Sequence, residues 1–203
     1  RAPKRFGRYL IDKTRAVTLM EYQGEQSVLE VWVDTDFAGC RKTRKSTSGG
    51  LMVWGGHVLK SWSNTQGIIA LSSGEAEYYG MVKGGSMGLG LKALMGDLGL
   101  GTKIRIRTDA SAAKGIATRK GLGKVRHIEV NQLWLQDRVA TGEIEIMKVK
   151  GEITLADALT KHVEGDKLKQ HTRWVGMEIT ADRHVIMPEI NDDDASAERD
   201  DEY

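Results

Sequence analysis

Four acidic residues stand where an α/β protein could use them to hold metal ions. Asp34 closes the apolar, β-branched run Val28–Asp34, and Asp109 follows the alternating run Lys103–Thr108. Both runs have the composition and period of strands, and in open α/β sheets the carboxyl ends of strands line the crevice where ligands bind. Glu77 and Asp157 fall in the first turns of two expected helices. Four carboxylates brought together from separate elements repel one another, so such a cluster is stable only with cations to neutralise it. Mg²⁺ takes oxygen ligands, usually one or two carboxylates plus waters and substrate phosphates. Two such ions can stabilise the attacking and the leaving oxygen of a phosphodiester under cleavage. Each acid alone also has a plainer reading, as a turn residue or as compensation of a helix dipole. Their spacing does not choose between the two.

The elements that would position these acids can be read along the chain. After the first strand, residues 35–48 are polar and carry Arg41, Lys42, Arg44 and Lys45. Gly49–Trp54 and His57–Ser63 read as two strands joined by the tight turn Gly55-Gly56. Ser72 or Ser73 can cap a helix running to about Leu98, with Glu75 in its first turn. That segment holds Gly74, Gly80, Gly84, Gly85, Gly88, Gly90 and Gly96. An interior glycine costs ~1 kcal/mol relative to alanine, so the helix must either pack closely against its neighbours or be weak. Further on, the pattern predicts a strand at Lys103–Thr108 and a short helix at Ala110–Thr118. A helix over His127–Ala140 and a strand at Glu143–Val149 follow. Helices at Thr154–His162 and about Gly165–Trp174 complete the set. The order β-β-β-α-β-α-α-β-α describes an α/β domain with an initial antiparallel hairpin and crossover helices.

Bulk properties fit a nucleic-acid partner without proving one. The chain has 203 residues and a formal net charge of +2. That balance hides an asymmetry: from Thr180 to Tyr203 there are nine acids and two bases, while the rest carries 28 bases against 19 acids. A basic body with an acidic tail suits contact with a polyanion. The single cysteine, Cys40, excludes an internal disulfide framework and suits a reducing compartment. No apolar run approaches the ~18 residues of a membrane span. The first ten residues carry charge with no apolar core after them, unlike a signal peptide. With no initiating Met, the chain reads as a piece of something longer.

Several stretches together resemble one family. Residues 33–39 read VDTDFAG, 44–49 RKSTSG, 61–63 SWS and 71–79 LSSGEAEYY. Then come IRIRTDASAAKGIA at 104–117, VRHIEV at 125–130 and GEIEIMKVKGEITLADALTK at 142–161. The order and content resemble the ribonuclease H domain of copia-type LTR retrotransposon Pol polyproteins. KRFGRYLIDKT at 4–14 resembles the linker that follows the reverse transcriptase there. The resemblance covers roughly residues 1–175 and implies a ribonuclease H-like α/β fold: a five-stranded mixed sheet flanked by helices. It divides the chain into a linker at 1–27, the domain at 28–178 and an acidic, disordered tail at 179–203.

Carried over by position, the family's metal ligands fall on Asp34, Glu77, Asp109 and Asp157. Asp36 shares a strand face with Asp34 and is a supporting candidate. Glu75 and Glu77 lie about 200° apart on a helix at 100° per residue, so only one can face the site, and the motif selects Glu77. The implied chemistry is hydrolysis of the RNA strand of an RNA–DNA hybrid with two Mg²⁺ ions, Mn²⁺ being acceptable. One ion would activate the water and the other would stabilise the departing 3′-oxygen. Arg41, Lys42, Arg44 and Lys45, with Lys114, Arg119 and Lys120, are the candidates for phosphate contacts. The implied partners are the hybrid and the reverse transcriptase of the same polyprotein, with no membrane, in a cytoplasmic retrotransposon particle.

Some positions depart from the pattern. The loop Val149–Thr154 holds no histidine, unlike many cellular ribonucleases H, and the acidic pair usual before RKST is absent. His127 matches a family segment but reads as structural, and His57 and His162 have no assigned role. Among the tryptophans, Trp62 alone is a candidate for the substrate surface, with Trp134 and Trp174 read as core. The competing readings are a degenerate domain that binds nucleic acid without cutting it, or a brace for a neighbouring polymerase. An integrase core is disfavoured by its three-acid site with a different late spacing.

Overall fold

The computed structural model describes residues 15–123, 128 and 132–180, with residues 4, 7, 8, 11 and 13 nearer the start. His127, most of the segment 125–130 and the acidic residues beyond Thr180 lie outside the described residues. The chain forms two units, one of Leu19–Gly176 and one made from the two ends. In the smaller unit β1 (Arg15–Thr18) pairs antiparallel with β7 (Met177–Thr180), Arg15 opposite Thr180. Residues expected as linker and as tail thus contribute to strands.

The larger unit is built on a sheet of five strands: β2 (Val28–Asp36), β3 (Thr47–Trp54), β4 (His57–Thr65), β5 (Lys103–Thr108) and β6 (Ile144–Lys148). Their spatial order is β4-β3-β2-β5-β6. β2, β3 and β4 run antiparallel in sequence, whereas β5 and β6 lie parallel to β2. This is the mixed α/β sheet with a leading hairpin that the ribonuclease H-like resemblance implies. Gly55, with φ of +62°, makes the turn between β3 and β4.

Strand β2 alternates cleanly. Leu29, Val31 and Val33 enter the main core with Ile104, Ile106, Ile144, Tyr78 and Met81. Trp32 lies on the opposite face, with Leu51, Val149 and Ala156. Asp34 shares the Trp32 face, and β2 runs two residues past it to Asp36, so Asp34 is near the strand end and does not close it.

Helix α1 (Ser73–Asp97) keeps all its glycines because several face the sheet at close range. A β-carbon on Gly84 would stand 2.6 Å from Val33 Cγ1, and one on Gly80 would stand 2.6 Å from Thr35 Oγ1. The glycines let α1 settle directly on β2, and the packing offsets their intrinsic cost. Ser72 caps the helix by accepting from the Glu75 N–H at 3.2 Å. Helices α2 (Ser111–Thr118) and α3 (Trp134–Ala140) pack into the same core. The helix expected over His127–Ala140 is described as α-helix only in its second half. Helix α4 (Gly165–Trp174) has the expected bounds.

The helix expected over Thr154–His162 does not form. Two short 3₁₀ turns stand there, Gly151–Ile153 and Asp157–Leu159. Tertiary contacts claim this backbone first. The Leu159 carbonyl accepts from Ser63 Oγ at 2.6 Å, and Ala156 is buried against the Trp32 face.

Candidate metal centre

Asp34, Glu77 and Asp109 come together although they are far apart in sequence. Each offers a carboxylate oxygen, and the three oxygens lie within 4.8 Å of one another. Asp34 comes from β2, Glu77 from the second turn of α1, and Asp109 from the residue after β5. The parallel pairing of β2 with β5 brings the first and third to the same end of the sheet. The close seat of α1 on β2 delivers the second. A β-carbon on Gly151 would stand 3.1 Å from Asp109 Oδ2, so the loop after β6 passes against that carboxylate.

The fourth expected ligand, Asp157, is joined to the group through a cation. Lys161 Nζ lies 3.0 Å from Asp157 Oδ1 and 3.3 Å from both oxygens of Asp34. Thr160 Oγ1 donates a short hydrogen bond to Asp34 Oδ2 and a longer one, 3.2 Å, to the Asp157 carbonyl. Neither Thr160 nor Lys161 was singled out in the sequence. The one available signal was the i, i+4 spacing of Asp157 and Lys161 within a short helical segment.

Charge and burial set the protonation of these groups. Burial pushes Glu77 up to about 8, with the charges of Asp34 and Asp109 adding to it and Lys161 opposing. Asp34 is also held above its ordinary value, chiefly by burial, despite the Thr160 hydrogen bond and the Lys161 charge. Burial alone would pull Lys161 down, but the hydrogen bond to Asp157 and the charges of Asp34 and Asp157 outweigh it and hold the ammonium up.

The donor set fits a hard divalent cation. Glu77 Oε2 is buried with no hydrogen-bond partner, an orphaned acceptor that a cation would satisfy. The ligands are all carboxylate oxygens, the type Mg²⁺ and Mn²⁺ take. Asp34, Glu77 and Asp109 would hold such an ion, and Asp157 stands across the Lys161 ammonium from Asp34.

The remaining expectations separate. Glu75, the alternative to Glu77, faces away and braces the helix start, accepting from the Leu71 N–H at 2.9 Å and the Tyr79 hydroxyl at 2.8 Å. Asp36 is not part of the cluster; its carboxylate folds over Gly39, whose β-carbon would meet it at 1.7 Å. Arg41, Lys42, Arg44 and Lys45 lie on the loop after β2, which is closed by the Arg44 N–H donating to the Cys40 carbonyl at 2.7 Å. Arg41, Lys42 and Arg44 are exposed. Lys120 is exposed and Lys114 half-buried, both near α2. Arg119 turns inward: its guanidinium donates to the Leu122 carbonyl and lies under Gly123. Trp62 is no surface platform, because its ring is buried over Gly50. His57 contacts the Glu21 carbonyl at 2.7 Å, away from the carboxylates.

No family model matches the chain. Among curated proteins it is 29% identical, over 158 residues and 77% of its length, to the retrovirus-related Pol polyprotein from transposon TNT 1-94 of Nicotiana tabacum. It is 24% identical over 179 residues to the corresponding polyprotein from transposon RE1 of Arabidopsis thaliana, and 25% identical over 158 residues to that from RE2. The matches take in 12%, 12% and 11% of those polyproteins, so the chain spans a small part of them. Among solved structures it is similar to the N-terminal RNase H domain of rv2228c from Mycobacterium tuberculosis. That similarity has 18% identity and a TM-score of 0.47, over 72% of this chain and 97% of the other. The compost-derived LC11-RNase H1, solved in complex with an RNA/DNA hybrid, gives 15% identity and a TM-score of 0.43, over 69% and 99%. These three relatives are all retrovirus-related Pol polyproteins of plant transposons, and each resembles the chain over three quarters or more of this chain's length.

Proposed function

We propose that this segment of a copia-type Pol polyprotein is a ribonuclease H-type endonuclease that hydrolyses the RNA strand of RNA–DNA hybrids with divalent metal ions. The observation that carries the reading is the convergence of Asp34, Glu77 and Asp109, with Glu77 Oε2 buried and unpartnered. Such a constellation costs stability in a protein that does not neutralise it, so it argues for a site and against a scaffold.

Bound Mg²⁺ would supply polarisation of the scissile phosphate and acidification of the attacking water. The chain supplies the rest. Thr160 orients the Asp34 carboxylate by donating to one of its oxygens. The short reach between α1 and β2 fixes Glu77 beside it. Gly151 leaves room for Asp109 to stand against the loop after β6. The exposed Arg41, Lys42 and Arg44 follow the strand that carries Asp34 and would hold the hybrid's phosphates, which position the substrate without reading sequence. Discrimination of RNA would rest on contacts to the 2′-hydroxyl. Within the polyprotein the reverse transcriptase is the neighbour that would deliver the hybrid.

The test is cleavage of an end-labelled RNA–DNA hybrid with Mg²⁺, beside an all-DNA duplex and the Asp109→Asn variant. Cutting of the RNA strand alone, abolished in the variant, supports the reading. Hybrid binding without cutting in the unaltered chain overturns it in favour of a degenerate binding module.

A further inference from the structure

The carboxylate group has two unlike halves. In one, Asp34, Glu77 and Asp109 face one another, and the orphaned Glu77 Oε2 has no donor. In the other, Asp34 and Asp157 are already spanned by the Lys161 ammonium, at 3.3 and 3.0 Å. A divalent cation entering the first half meets Lys161 only through the shared Asp34 and leaves the Lys161–Asp157 contact in place. To ligate Asp157 together with Asp34 it must take the place of a positive charge already there, because two cations at that range repel strongly.

Lys161 is built to leave. Its side chain is 45% exposed, whereas that of Asp34 is 1% exposed and tied by Thr160. The four-carbon stem can swing the ammonium into water by rotamer change alone, while the carboxylate stays fixed. We infer that Lys161 is an internal counter-ion that holds the Asp34–Asp157 half of the centre in the metal-free protein and competes with the second divalent cation for it. The inference rests on the proposed metal-dependent function and deepens it. The two ions load unequally, the first into the Asp34, Glu77 and Asp109 half and the second only against displacement of Lys161.

The test is Mn²⁺ binding to the full chain, read by electron paramagnetic resonance of the free ion and by calorimetry. The chains compared are the unaltered one, Lys161→Met, Lys161→Gln and Lys161→Arg. Removing the ammonium is expected to tighten the weaker Mn²⁺ class by roughly tenfold or more, the scale of one displaced charge contact near a protein surface. The tighter class, which shares only Asp34 with Lys161, is expected to change less than the weaker one, and Lys161→Arg, which keeps the charge, should keep the weak class weak. In EDTA the Met and Gln variants should melt lower than the unaltered chain and gain more melting temperature on Mn²⁺ addition. The Gln variant retains a hydrogen-bonding group toward Asp157 if the Met variant does not fold. Unchanged or weaker Mn²⁺ binding in both neutral variants would overturn the competition and leave the metal centre standing. Absence of Mn²⁺ binding in the unaltered chain would overturn the metal centre itself, and the inference with it.

Discussion

Gly84 on α1 faces Val33 on β2 so closely that an added β-carbon would stand 2.6 Å from Val33 Cγ1. The contact sets how near the helix lies to the strand, and therefore how near Glu77 lies to Asp34. Gly90, on the same helix, has nothing within 4 Å of its β-carbon position.

The two glycines should respond in opposite directions to alanine. Gly84→Ala overpacks the helix against a branched side chain, a cost of ~1–3 kcal/mol, less the ~1 kcal/mol gained in helix propensity. A net loss of about 1 kcal/mol is expected, with weakened metal binding as Glu77 is pushed off the strand. Gly90→Ala should gain about 0.5–1 kcal/mol. Urea denaturation of both variants checks the pair, and equal stabilisation would contradict the close packing.

Loss of a ligand should cost catalysis and leave the fold intact. On the proposed function, Asp109→Asn and Glu77→Gln each remove part of the group that would hold the metal and stabilise transition-state charge. A loss of about 3 kcal/mol corresponds to roughly a hundredfold in rate. In EDTA neither variant should melt below the unaltered chain, because each relieves repulsion within the cluster. Rates on a labelled hybrid and melting curves in EDTA separate the two effects.

Stability without metal should fall as pH rises. The folded Glu77 carboxyl titrates at about 8 against an ordinary value of 4.5, so the folded state holds its proton more tightly than the unfolded chain does. The resulting stabilisation is fully present below about 4.5 and is lost as pH rises through about 8. Melting curves in EDTA across that window should show the decline, and Glu77→Gln should flatten it. A decline of the same size in that variant would assign it to another group.

The basic residues should divide by what they touch. Arg119 holds its own loop through Leu122, so Arg119→Ala should lower stability and leave the salt dependence of hybrid binding unchanged. Lys42 and Arg44 are exposed on the loop after β2. Replacing either by alanine should weaken binding and lower the slope of log affinity against log salt by about one per phosphate contact. Binding titrations of the cleavage-deficient Asp109→Asn chain at several salt concentrations give the slopes directly.

Much of the fold could be read locally. A β-branched apolar run located the strand that became β2, alternation located β5 and β6, and Gly55-Gly56 marked the hairpin turn. Ser72 capped α1 where it was expected, and α4 kept its bounds. The resemblance to copia-type domains named the four acids, and three of them do meet. The failures share a cause. Thr154–His162 has helical spacing, yet the Ser63 hydroxyl and the Trp32 face claim its backbone and side chains. Trp62 and Arg119 have the residue types of a nucleic-acid surface, yet one fills the space over Gly50 and the other the space under Gly123.

By itself the sequence determined what depends on neighbours in the chain. Strand period, helix caps and glycine turns belong here, and so does the placing of Asp34, Glu77 and Asp109 near the ends of their elements. These follow from backbone sterics and from periodicities of two and 3.6 residues, which act over a few positions. The tertiary structure alone decided which groups touch. Thr160 and Lys161 reach Asp34 across 126 and 127 residues. No local pattern encodes that contact, because it exists only after the parallel pairing of β2 with β5 and the packing of the 159–160 segment over Gly49 have closed the loops between them.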